Sequence, residues 1–273
     1  MVPSASQTAN VDKNGYNLFN RTPSSALREM STDRPDKTES PYTVDAGHFQ
    51  IEMDFITPSF DHDTSEGFDI QTDAWGVAPI NLKVGLLNNT DLQVVLDTFD
   101  DVRTEDRTTG LITRDRGFGG ITTRLKINLW GNDGGKTAFA LMPFVEFPAR
   151  GGGFDKKLIQ GGLILPLAVS LPHKWDVGLM TEFDVNRGQE NDRVHGAFVN
   201  SITFSHDIVG KLGGYVEFFS EVSTELESSW VGTLDGGLTY GLTENSQLDG
   251  GINLGVTESA PDVQYFIGLS LRF

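Results

Sequence analysis

From residue 44 onward the chain alternates apolar and polar residues with a period of two, and this restricts it to β-strands that each have one oily face. The first run is Phe49, Ile51, Met53 and Phe55, with Gln50, Glu52 and Asp54 between them. Phe68 to Leu86 reads as one long strand carried across Pro79, its apolar face on the even positions. Ten more runs follow: Leu92 to Leu96, Ile121 to Leu129, Phe139 to Phe147, Ile159 to Leu171, Trp175 to Val185, Val194 to Phe204, Leu212 to Val222, Trp230 to Leu242, Leu248 to Val256 and Val263 to Phe273. The pattern predicts about twelve antiparallel strands.

Alternation alone does not name the solvent, because a water-soluble sandwich alternates too. The distribution of charge does. The apolar faces carry no charged residue, whereas the interleaved faces carry Glu52, Asp54, Asp69, Asp73, Asp97, Glu146, Asp176, Glu182, Asp184, Glu217, Glu221, Asp235 and Asp249, with Lys83, Arg124, Lys126 and Arg272 as their bases. A charge facing lipid near the bilayer midplane costs roughly 2–4 kcal/mol, so a strand face in contact with lipid excludes it. No stretch approaches the ~18 consecutive apolar residues of a membrane-spanning helix, and mean hydropathy is −0.23. Both are compatible with a barrel, in which only alternate residues face lipid.

Connections alternate in length as well. Short turns are predicted at Asn88–Asp91, Gly131–Gly135, Pro172–Lys174, His206–Gly210 and Thr243–Ser246. Longer polar loops are predicted at Phe60–Gly67, Asp101–Arg116, Ala149–Asp155, Asn186–Arg193 and Ser223–Ser229, with a shorter one around Glu258–Pro261. Short turns at one rim and long loops at the other are the pattern of outer-membrane barrels, and an even strand count puts both chain ends on the periplasmic side. Trp175, Trp230, Tyr240 and Tyr265 fall on the apolar face near strand ends, where aromatic girdles belong. The fold expected is all-β: a transmembrane up-and-down antiparallel β-barrel spanning residues 44–273, in the bacterial outer membrane and in contact with its lipid.

Residues 1–43 differ. They hold five basic and five acidic residues and four prolines without any period of two. A short helix from Pro23 to about Met30 is expected, with Thr22 as N-cap and Pro23 at the first helical position. The rest reads as an irregular arm, either a periplasmic extension or a plug in the lumen. Met1-Val2-Pro3-Ser4-Ala5-Ser6 lacks the basic and apolar regions of a secretory signal, so the numbering is expected to begin at a processed or engineered terminus.

The stretch Leu27 to Glu52, above all Asp33-Arg34-Pro35-Asp36 and Thr38-Glu39-Ser40-Pro41, resembles the start of the outer-membrane transporter family named for the meta-pathway of phenol degradation. Asn81-Leu82-Lys83-Val84-Gly85-Leu86 with the Asn88–Asp91 turn, and Tyr215-Val216-Glu217, are similar to further landmarks of that family. The resemblance spans nearly the whole chain. It implies a barrel that passes small solutes, with small aromatic or hydrophobic compounds as a candidate class.

On this reading the pathway is lined by Glu52, Asp54, Lys83, Arg124, Lys126, Glu146, Glu182, Asp184, Glu217 and Asp249. Acid-rich faces select solutes by sign, which points to cations or neutral polar solutes. Arg28, Asp33, Arg34, Asp36, Lys37 and Glu39 are the plug candidates, with Arg28, Arg34 and Lys37 expected to meet Glu52, Asp54 or Glu217 through charge-assisted pairs. Tyr265, Ile267, Leu269, Leu271 and Phe273, a C-terminal aromatic closing an alternating strand, look like the signal read by the bacterial barrel-assembly machinery. The alternative function is a closed structural or adhesion barrel with a plugged lumen.

Other chemistry has weaker support. A formal charge of −17 opposes nucleic acid as a partner. Without cysteine there is no thiolate metal site and no disulfide framework. Neither a serine-hydrolase elbow nor a zinc-protease motif occurs. His195 and Ser201 are six residues apart along one strand, about 20 Å, and cannot form a dyad. Asp61-His62-Asp63 with Glu66 resembles a calcium loop only in composition, and Gly151-Gly152-Gly153 lacks the Lys-Ser/Thr of a phosphate loop. No catalytic residue, metal or cofactor is expected.

Overall fold

A computed structural model describes residues 12–147, 159–187, 193–225 and 228–273. After one 3-10 turn, Ser24–Ala26, the chain forms fifteen strand segments: β1 Phe49–Asp63, β2 Ile70–Val77, β3 Ile80–Leu87, β4 Thr90–Asp97, β5 Phe99–Asp106, β6 Leu111–Gly117, β7 Gly120–Trp130, β8 Thr137–Phe147, β9 Gln160–Leu171, β10 Trp175–Arg187, β11 Val194–Val209, β12 Leu212–Ser223, β13 Val231–Thr243, β14 Ser246–Gly255 and β15 Val263–Arg272. All pairings between them are antiparallel. β1 pairs with β15, which closes the ring.

Three pairs of segments each make one stave of this ring. β3 lies along the Phe49–Met53 half of β1 and β2 along its Ile56–Asp63 half. β4 and β5 continue alongside them, then β7 and β6. Fifteen segments thus form a closed twelve-stave barrel. Among the described residues no helix is long and apolar enough to cross a membrane, and a closed ring of strands is the other way to satisfy every backbone group in lipid.

The outward faces carry the apolar residues the alternation assigns to them. Phe49, Val216, Leu238, Trp175, Trp230, Tyr240 and Tyr265 are all exposed, whereas Glu217 and Lys126 on the other face are buried. At the seam, Gln50 faces Arg272 and Met53 faces Leu269. Phe49 and Phe273 exchange backbone hydrogen bonds of 3.2 and 2.8 Å. The short turns lie at the rim that also holds the chain's end.

Several expectations need correction. The run Phe68 to Leu86 is broken at Ala78, which takes a left-handed φ of 52°, and at Pro79, which cannot donate to a ladder. The break swaps the faces. Val77 lies opposite Ile56 and Ile80 opposite Met53, all on the outward side, and β1 slips register between Asp54 and Ile56 to match. Trp75, not Ala74, therefore points outward, where it meets Phe60 edge-on at 6.1 Å. Asp73 also turns outward and pairs with Arg103 (3.6 Å), while Asp69 bonds His62 (2.8 Å). Neither acid is on the inner face.

Asp101–Arg116 is not a loop but most of a β-hairpin, β5–β6, that extends two staves beyond the barrel rim. Its outward Asp101, Arg103, Arg114 and Arg116 stand beyond the apolar band. The Pro23–Met30 helix does not form. Pro23 is extended (ψ 148°), the 3-10 turn stops at Ala26, and Thr22 makes no capping bond. The Arg28 N–H donates to Asp45 Oδ2 (3.0 Å) instead of to a helical carbonyl. The predicted Ala149–Asp155 loop, its glycine triplet and most of Asn186–Arg193 lie outside the described residues.

Candidate solute pathway and the arm within it

The inner wall and the arm meet in three tiers. At the short-turn rim, the Arg28 guanidinium reaches Asp133 (3.0 Å), Asp45 (3.3 Å) and the Asn88 side chain and carbonyl (both 3.0 Å). Lys13 adds Asp133 (2.9 Å), and Arg272 donates to the Arg28 carbonyl (2.7 Å). Arg28 does not enter the tier of Glu52, Asp54 and Glu217 as the sequence suggested. Desolvation favours the neutral Asp133 carboxyl, but Arg28, Asn88 and Lys13 outweigh it and hold the group below the usual carboxylate range.

The middle tier is buried. Asp33 accepts from Lys126 (2.5 Å) and from Lys83, which also bonds Glu52. Arg34 spans Asp54 (2.5 Å) and Asp249 (2.6 Å). Lys37 pairs with Asp235 (3.1 Å), donates to Thr233 (2.7 Å) and stands over the Phe219 ring. Glu39 pairs with Arg124. Thr38 meets Ser201 on β11 (2.6 Å), and Tyr42 packs with Ala138 of β8 and Ala168 of β9. Contacts to β1, β3, β7, β8, β9, β11, β12, β13 and β14 come from every side of a closed ring. Residues 33–42 therefore lie inside it.

The sequence supplies the reason for this arrangement. Irregular backbone inside a barrel must find partners for its N–H groups, and Pro35 and Pro41 reduce the number to be found. Wall carboxylates take four of them, and Asn132, Met180 and the arm's own Asp33 and Ser40 take others. The Asp33 N–H donates to Glu52 (3.0 Å), those of Lys37 and Thr38 to Glu217 (2.9 and 2.8 Å), and that of Val44 to Asp91 (2.9 Å). The acids thus bind backbone as well as cations.

Above this tier, away from the short turns, the wall turns apolar. Met142, Ile164, Met180 and Val199 form a buried cluster flanked by Phe144 and Phe219. Strict alternation assigns polar residues to the inner face, and this patch departs from it. Its signal was the presence of apolar residues on both parities of β8 to β11. Farther out stand Glu146, Glu182, Asp184 and Glu221.

The other candidate chemistries are not assembled. Ser201 bonds Thr38, while His195 lies 3.6 Å from Glu225. His206 contacts the Lys174 carbonyl and stacks on Trp175. No cluster suited to a metal ion occurs among the described residues, and the Glu66 side chain of the calcium-like loop lies outside them. Tyr265, Ile267 and Phe273 sit on the exposed outer face.

The sequence profile of the family described as the MetA-pathway of phenol degradation matches residues 32–273. The chain belongs to this family. Among solved structures, an outer membrane channel from Pseudomonas putida F1 is similar to this family member at a TM-score of 0.58 and 12% identity, covering 89% of this chain and 100% of the other. The translocator domain of the autotransporter NalP from Neisseria meningitidis matches at a TM-score of 0.50 and 9% identity, covering 82% and 88%. Comparison with curated protein sequences finds no match. At these identities the likeness is one of fold, and the fold is that of an outer-membrane barrel.

Proposed function

We propose that this barrel is a channel for passive or facilitated passage of small solutes across the outer membrane, with the arm of residues 1–43 acting as a plug through its segment 33–42. One observation carries the reading. Within the lumen the arm is held by side chains, and among the described residues its β-bridges to the wall, Asn17 with Leu87 and Ala46 with Gly85, lie at the rim. A segment held this way can shift without breaking the barrel's ladders. The buried Met142–Ile164–Met180–Val199 patch, with Phe144 and Phe219 beside it, favours small aromatic or hydrophobic compounds among the solutes. The Pseudomonas structure, described as an outer membrane channel, is consistent with the same use of the fold.

The filled lumen is the observation that favours the second reading, a closed structural or adhesion barrel. Planar-bilayer conductance and liposome swelling separate the two. A channel passes ions and small solutes, and passes more when residues 1–43 are removed; a closed barrel shows neither in either form. Equal conductance with and without the arm would remove the plug. We assign the C-terminal run Tyr265, Ile267, Leu269, Leu271 and Phe273 to recognition by the assembly machinery. Deleting Phe273 should then lower the yield of heat-modifiable barrel, and an undiminished yield would sink that assignment.

A further inference from the structure

We propose that solutes leave the barrel along one side of the arm, between its Pro35–Asp36 turn and the inner wall of β10–β13. The proposal rests on the channel reading and adds where the path runs and which charge it prefers.

The arm is not packed equally all round. Toward β1, β4, β7 and β8 the contact is closed: Gln93, Lys126 and Ala138 expose none of their surface, and Asn128 almost none. Long inward side chains fill that half. On the opposite side a cavity of about 40 Å³ lies between Pro35 and Asp36 of the arm and Asp176, Ser205, Tyr215 and Thr239 of the wall, and continues past Asp207 at the short-turn rim. The wall there includes the small residues Gly213, Gly214 and Ser205. Gly237 lies directly across from Tyr215, and a Cβ on it would come within 2.7 Å of the Tyr215 ring. The tyrosine can lie flat against β13 only because that position is glycine, and this leaves the space open.

The arm is also weakly held at this point. Pro35 has no N–H, and its carbonyl meets Tyr215 Oη at the outer limit of a hydrogen bond, 3.5 Å. The strong ion pairs belong to Arg34 and Lys37 on either side. A volume of 40 Å³ is room for about one water molecule, so the seam passes a larger solute only when the turn moves. Its polar lining is mostly carboxylate and hydroxyl, from Asp36, Asp176 and Asp207 with Ser205, Tyr215 and Thr239, and His206 beside them turns its ring onto Trp175. Such a passage favours small cations and neutral hydrogen-bonding solutes and disfavours anions.

The native chain has no cysteine, so single-cysteine variants test the route directly. Ser205→Cys and Thr239→Cys probe the seam and Ala138→Cys the closed side. Each is confirmed as a folded barrel by heat-modifiable migration, then recorded in bilayers with a cationic or an anionic methanethiosulfonate reagent added at the short-turn side. The expected result is loss of conductance in the two seam variants, faster with the cationic reagent, and no change in Ala138→Cys or the parent. Seam cysteines that fail to react, react without loss of conductance, or react faster with the anion would each overturn the route, as would block at Ala138→Cys. A parent protein that neither conducts nor swells liposomes would instead overturn the channel reading, and the route with it.

Discussion

Asp33 lies between the ammonium groups of Lys83 and Lys126 while its backbone bonds Glu52, so one arm residue ties two wall cations and one wall anion together. Removing a single member of a buried ion network leaves its partners uncompensated, at a cost of about 3–5 kcal/mol. Lys83→Met should therefore release the arm and raise the conductance of the full-length protein, while a double variant that also carries Glu52→Gln, and so leaves Asp33 paired with Lys126 alone, should return toward the parent value. Unchanged conductance in the single variant would mean the network does not hold the plug. At the rim the relevant quantity is pH. The folded Asp133 carboxyl is held below its ordinary value, chiefly by Arg28 against desolvation. Its contribution is thus complete above the unfolded value of about 4 and is lost as pH falls through the folded one. The group is well exposed, so salt weakens the effect. Protease nicking of the arm should rise as pH drops below about 4, less steeply in Asp133→Asn, which should be nicked more readily at neutral pH. Inner-face acids could be read from parity and the arm's cations from its composition, and Arg34 meets Asp54 as expected, whereas the Lys37 ammonium pairs with Asp235 in place of Glu217. What parity could not show is that Glu52, Glu217 and Asp91 bind backbone N–H groups, because that depends on where an irregular chain runs.

At the scale of elements, twelve staves were legible because each keeps a period of two over most of its length. The faces of the second stave were not. A single left-handed residue, Ala78, before Pro79 reverses parity without interrupting the apolar run, so the sequence appears continuous while the side chains change sides. The arm helix misled for a related reason: its propensity and cap signals are local, whereas the Arg28 N–H is claimed by a carboxylate, Asp45, seventeen residues away. The β5–β6 hairpin hid within a polar stretch because both of its faces meet water. That gives an element-scale prediction. Outward charges such as Arg103 and Arg114 are tolerated there, so excising residues 104–113 should leave heat-modifiable migration intact. Val216→Arg, on the exposed face in the middle region of β12, should instead cost ~2–4 kcal/mol of folding free energy in lipid. Denaturant titration in vesicles measures both changes. Equal stability of Val216→Arg and the parent would place water, not hydrocarbon, against that face.

For the whole molecule, the net charge of −17 matters through its location. Within the middle tier the arm brings bases to wall acids and acids to wall bases, so Arg34, Lys37, Lys83, Lys126 and Arg124 are all engaged in pairs. The acids of the two mouths are less well matched. Glu182, Asp184 and Glu221 line the wall beyond the apolar patch, with Arg124 acting on Glu182 from the tier below. Asp176 and Asp207 line the seam at the other end, where Lys174 approaches Asp207 at 3.4 Å from an exposed position. A narrow passage with low-dielectric walls focuses such a field, so the permeating species should be set by the mouths and not by the neutralised middle. Reversal potentials in a potassium chloride gradient should therefore show cation preference that fades as salt rises. Combining Glu182→Gln, Asp184→Asn and Glu221→Gln should move the potential toward zero without increasing conductance, because the plug's own pairs are untouched. Anion preference in the parent, or an unaltered potential in the triple variant, would show that the mouths do not govern the choice of solute.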